Sequence, residues 1–97
     1  DNTVYKEMLE MFYNQSEKYM DKLTVAYKNM DWYNYSLISH TVKSNAKTIG
    51  AVYLSEVSYK HEEAGKNEDI DFIYGEFENY KKMISEINVI AMDMFKK

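Results

Sequence analysis

Apolar residues recur at helical spacing along almost the whole chain. Val4, Met8, Met11 and Phe12 outline a first short helix that fades near Asn14 and Ser16, and Tyr19, Met20, Leu23, Ala26, Tyr27 and Met30 outline a second. Asp31 predicts the N-cap of a third helix running from about Trp32 to Ile49, with Gly50 where a left-handed C-terminal residue is expected. A fourth begins near Ala51, carries Leu54, Val57, Ser58 and His61 on one stripe, and ends at Gly65, Lys66 and Asn67.

The last segment opens on Glu68, Asp69 and Asp71, whose charge complements the positive end of a helix dipole. It then repeats Ile70, Ile73, Phe77, Tyr80, Ile84, Ile87, Ala91 and Met94 at alternating spacings of three and four, as a long bundle helix does. Gly75 interrupts this helix without changing the phase of the repeat. The pattern predicts an all-α fold: an antiparallel four-helix bundle with a short additional N-terminal helix, in a single domain over residues 1–97.

Composition narrows the chemistry. The 97 residues hold one core, and with no Cys there is neither a disulfide nor a thiolate site. The absence of Pro and the presence of only three Gly favour long helices over turn-rich β structure. All twelve basic residues are Lys, and against sixteen acids they leave a net charge of -4, the wrong sign for nonspecific nucleic-acid binding. No stretch reaches the roughly 20 apolar residues of a membrane span, so no direct membrane contact is expected and the location is read as cytoplasmic. The start at Asp1 rather than Met points to a domain excised from a longer protein.

Two His residues remain, and a helical wheel at about 100° per residue separates them. Tyr35, Ile38, Val42, Ala46 and Ile49 share a sector roughly 80° wide, the predicted buried face of the third helix. His40 lies opposite, with Lys43, Ser44 and Lys47 as its neighbours at i+3, i+4 and i+7. No acid occurs between Trp32 and Ser55, so the exposed imidazole is expected in a locally positive field that would stabilise an arriving anion. His61 shares the apolar stripe of its own helix and is expected inside, hydrogen-bonded and structural. With one His out and one in, a shared metal site is not expected, and the acidic cluster near Glu62 lacks the spacing of a calcium loop.

The twelve residues His40-Thr41-Val42-Lys43-Ser44-Asn45-Ala46-Lys47-Thr48-Ile49-Gly50-Ala51 closely resemble the signature of histidine phosphotransfer (HPt) domains. Asp31-Trp32 upstream, and Leu54 and Glu62-Glu63-Ala64-Gly65-Lys66 downstream, are similar to the elements that flank it in that family. The resemblance implies a phosphorelay intermediate. His40 would take a phosphoryl group on Nε2 from a receiver-domain aspartate and hand it to another receiver, and Lys43 would neutralise phosphoryl oxygens. Ser44 would be the small residue that lets the partner approach, and Gly50 would close the helix. Glu62 would orient the imidazole through Nδ1. No cofactor is implied on this chain, because Mg²⁺ belongs to the receiver.

Leu37, Thr41, Ser44 and Thr48 lie within about 60° of one another beside His40 and, with Lys47 and Gly50, form the expected docking face for response-regulator receiver domains. A monomer with weak, transient partners is expected, without ATP-dependent kinase activity of its own, in a chain drawn from a hybrid sensor kinase. One departure from the family pattern is His61, which stands where Leu is usual. Two rivals remain open. A sensor-kinase dimerisation and phosphoacceptor domain also presents a His on helices, but that family has an acid directly after the His and a Pro soon after, where this chain has Thr41 and no Pro. A helical interaction module, with His40 incidental, would use the Met and Tyr content instead.

Overall fold

The computed structural model describes residues 2–95. They form four α-helices, α1 (Asn2–Lys28), α2 (Trp32–Thr48), α3 (Val52–Lys66) and α4 (Ile70–Phe95), with no strand among the described residues. The longest dimension of the molecule is 41 Å. Helix α1 packs on α2 and α4, and α3 packs on the same two. All four contribute to one apolar core, with Leu23, Tyr35, Leu54 and Ile73 among its most deeply buried members.

The two helices expected at the N-terminus are one, so there is no separate short helix. Ser16, read as the place where the first fades, lies in phase with a stripe formed by Leu9, Phe12, Tyr19, Leu23 and Ala26, and is itself fully buried. Its hydroxyl donates to the Tyr13 carbonyl and accepts from the Asn88 amide of α4, so a polar residue is accommodated at a core position without breaking the helix. No Gly or Pro occurs in residues 2–28 to interrupt it. The long stripe also fixes the rotation of the first turns: Leu9 and Phe12 are buried, whereas Val4 and Met11 of the expected apolar set face solvent.

Helix α2 begins as expected. The Asp31 carboxylate accepts from the Asn34 backbone N–H at 3.2 Å, satisfying one of the donors a helix start leaves open. The three interhelical turns close in the same way. Asp31, Ala51 and Asp69 each donate a backbone bond to a carbonyl five residues earlier, at 2.8 Å, around a left-handed residue. That residue is Gly50 after α2, but Met30 after α1 and Glu68 after α3. Gly65 therefore does not end α3 as expected. It lies inside the helix and is buried against α2.

Helix α4 follows its predicted repeat, with Ile73, Phe77, Tyr80, Ile84 and Ala91 buried and Ile70 and Ile87 half-buried. The side chain of Met94, like Asp1, falls outside the described residues. Gly75 is exposed in mid-helix, and a Cβ there would meet nothing within 4 Å. Gly75→Ala is therefore expected to stabilise the protein by about 0.5–1 kcal/mol, by removing backbone freedom from the unfolded chain. Urea denaturation checks this, and an unchanged or lowered midpoint contradicts it. No described helix is long and apolar enough to cross a membrane.

Candidate functional site

The wheel reading of α2 holds in three dimensions. Tyr35, Val42, Ala46 and Ile49 are buried and Ile38 half-buried, while the His40 side chain is 57% exposed on the opposite side. What the wheel could not supply comes from α3. Glu62, with only 5% of its side chain exposed, reaches across the α2–α3 interface and places Oε2 3.1 Å from His40 Nδ1. Lys43 Nζ stands 2.9 Å from the other carboxylate oxygen, and Lys66 Nζ stands 3.1 Å from Oε2.

Burial alone would raise the Glu62 carboxyl. The Lys43 and Lys66 ammonium groups and the His40 ring outweigh it and hold the group down at about 2. The same contact raises Lys66. Glu62 is thus a carboxylate at any ordinary pH, and a carboxylate can only accept. The proton in the His40–Glu62 bond belongs to His40 Nδ1, so the neutral ring carries its lone pair on Nε2. Among the described residues no hydrogen bond is made to Nε2.

The local field differs from the sequence expectation in one respect. The segment from Trp32 to Ser55 holds no acid, but Glu62 brings one against the ring from a different helix. Lys43 is correspondingly not an idle cation awaiting an anion, since it is already paired with Glu62 and also lies 5.2 Å over the Tyr59 ring. Lys66, to which the sequence reading gave no role, completes the group. Its signal was available in the Glu62–Lys66 spacing of four, the favourable order for a helical ion pair.

The remaining site residues divide by distance. Leu37, Thr41 and Ser44 are exposed within about one turn of His40, where they share its face. Lys47, Thr48 and Gly50 are exposed too, but Thr48 and Gly50 stand roughly 12 and 15 Å further along the helix axis. Thr41 and Thr48 turn their hydroxyls back onto the carbonyls of Leu37 and Ser44, which leaves their methyl groups for contact.

His61 is the buried counterpart. Its ring is stacked on Tyr80 at 4.1 Å and tilted against Phe72 at 5.0 Å, with Nδ1 bonded to the Tyr35 hydroxyl at 2.8 Å. Burial pushes the imidazole down to about 4, so it is neutral at physiological pH. No cluster of three or more His, Cys, Asp or Glu residues able to hold a metal ion occurs among the described residues. Comparison of the chain with protein-family models, with curated proteins and with solved structures found no match.

Proposed function

We propose that this chain is a histidine phosphotransfer domain, an antiparallel four-helix bundle that receives a phosphoryl group on His40 and passes it between receiver domains. One observation carries the reading: an exposed imidazole whose Nδ1 is engaged by an obligate acceptor, with two ammonium groups on the same carboxylate. The antiparallel order is supported by the contacts that pair Ser36 with Glu62 and Lys43 with Ser55, and Ser16 with Asn88 and Tyr27 with Tyr74. In each pair of helices one index rises as the other falls.

In the transfer, the Nε2 lone pair attacks phosphorus in line, an N–P bond forms, and the P–O bond to the receiver aspartate breaks, returning a carboxylate to the receiver. Nδ1 keeps its proton throughout. The phosphorylated ring is cationic, and the Glu62 carboxylate at 3.1 Å stabilises that charge. Lys43 and Lys66 can shift part of their charge from Glu62 to the phosphoryl oxygens. The receiver contributes Mg²⁺, so this chain needs positioning and charge alone. Return to a second receiver is the same step reversed.

Incubation with a phosphorylated receiver domain tests the reading and is expected to leave an acid-labile, base-stable phosphate on this chain. No label, or an acid-stable one, counts against it. Labelling by ATP alone would favour a sensor-kinase phosphoacceptor domain instead. Lys43→Ala is expected to slow transfer roughly tenfold, a loss of about 1.4 kcal/mol of transition-state stabilisation. Its helicity should persist, because Lys43 lies off the apolar sector and Glu62 retains Lys66 and His40. Transfer at the wild-type rate, or loss of the helical circular dichroism signal, contradicts this.

A further inference from the structure

The His40–Glu62 bond joins two helices, so its length depends on how closely α2 and α3 approach. The two helices approach closely at Gly65. A Cβ on Gly65 would lie 3.0 Å from the Trp32 carbonyl oxygen, 3.0 Å from Ser36 Cβ and 3.1 Å from Ser36 N. Two of those three atoms are main chain and cannot swing aside. The Ser36 hydroxyl, buried at the same contact, donates to the Glu62 carbonyl at 3.1 Å and ties the helices together there. Ser36 precedes His40 by one turn on α2, and Gly65 follows Glu62 by one turn on α3.

We propose that Gly65 and Ser36 are positioning residues, whose contact sets Glu62 at bonding distance from His40 and so decides which imidazole nitrogen is left free. The inference rests on the phosphotransfer reading for its functional meaning and on geometry alone for its structural part. At 3.1 Å the His40–Glu62 bond is already longer than the 2.7–2.9 Å usual for a charge-assisted N–H···O contact. Any added side chain at Gly65 must spread the helices by some tenths of an ångström, which takes the bond toward the limit of hydrogen-bond geometry. A free imidazole is not held to one tautomer, so the preference for Nδ1–H would weaken.

The test is the His40 tautomer, read by long-range ¹H–¹⁵N NMR at alkaline pH on protein labelled at His nitrogens, together with the rate of transfer from a phosphorylated receiver. In Gly65→Ala the ratio of Nδ1–H to Nε2–H is expected to fall about threefold or more, and transfer to slow roughly tenfold. Gly75→Ala, which meets no neighbour, leaves both unchanged. An unchanged tautomer ratio in folded Gly65→Ala overturns the inference, as does an altered ratio with transfer at the wild-type rate. Ser36→Ala keeps the spacing and removes only the hydroxyl tether, so it decides the matter if Gly65→Ala does not fold. Its ratio is expected to fall about twofold, and no change overturns the inference. Wild-type protein that shows the Nδ1–H tautomer but never accepts phosphate would strike at the phosphotransfer reading, while a tautomer shift in Gly65→Ala would still uphold the positioning.

Discussion

His40→Gln is expected to take no phosphate from a phosphorylated receiver domain, while His61→Gln, normalised to folded protein, labels to the wild-type extent. The contrast follows from where the two imidazoles lie. Only His40 presents a ring nitrogen that an incoming phosphorus can reach in line, and Gln offers an amide with no nucleophilic lone pair in its place. His61 is stacked within the core, with Nδ1 taken by the Tyr35 hydroxyl and only 1% of the residue exposed. Because His40 is exposed and outside the apolar sector, its replacement leaves the core untouched, and an unlabelled variant should melt like wild type. Autoradiography after denaturing electrophoresis, with acid and base treatment of the label, reads the result. Label that persists in His40→Gln removes His40 from the reaction altogether.

The second large effect is on stability in acid. His61 titrates near 6.5 when unfolded and at about 4 when folded, because burial penalises the charged ring. Between those values the unfolded chain binds the extra proton, so stability is fully present above pH 6.5 and is lost progressively as pH falls toward 4. The loss amounts to roughly 3 kcal/mol, a large part of the stability of a domain this size. The Tyr35 hydroxyl is bonded to the ring and the Tyr80 ring is stacked on it, and both phenols are held protonated by burial, so neither offsets the charge. Glu62 adds a separate loss below pH 4.5, since protonating it removes the partner of Lys43, Lys66 and His40. Urea denaturation of wild type and His61→Gln between pH 8 and pH 4 separates the two: the variant curve should be flatter above pH 4.5. Parallel curves would mean that His61 is not the group that titrates.

Sequence patterning read the fold closely where periodicity is strong and least well where one polar residue sits in an apolar stripe. Helices α2, α3 and α4 begin and end within a few residues of their expected places, because caps and alternating three- and four-residue spacings are local signals. Helix α1 is continuous through Asn14 and Ser16, where the pattern predicts a break, because composition cannot tell a polar residue that breaks a helix from one whose hydroxyl finds partners inside the core. The same ambiguity makes Gly65 resemble a terminator in the sequence. A glycine signals either a left-handed backbone or a close approach, and only the position of a neighbouring helix separates the two.

Which imidazole faces out and which faces in is settled by the amino-acid sequence alone, because that depends on the angle between residues of one helix. It also determined that the exposed ring has Lys43 one turn away and Lys47 two turns away. The tertiary structure decided the electrostatics. Glu62 is 22 residues from His40, and its contact with Nδ1 depends on two helices meeting at Gly65. That one carboxylate assigns the proton to Nδ1 and the lone pair to Nε2, pairs with Lys43 and brings in Lys66. A helical wheel records rotation about one axis, whereas a carboxylate acts across the distance between two.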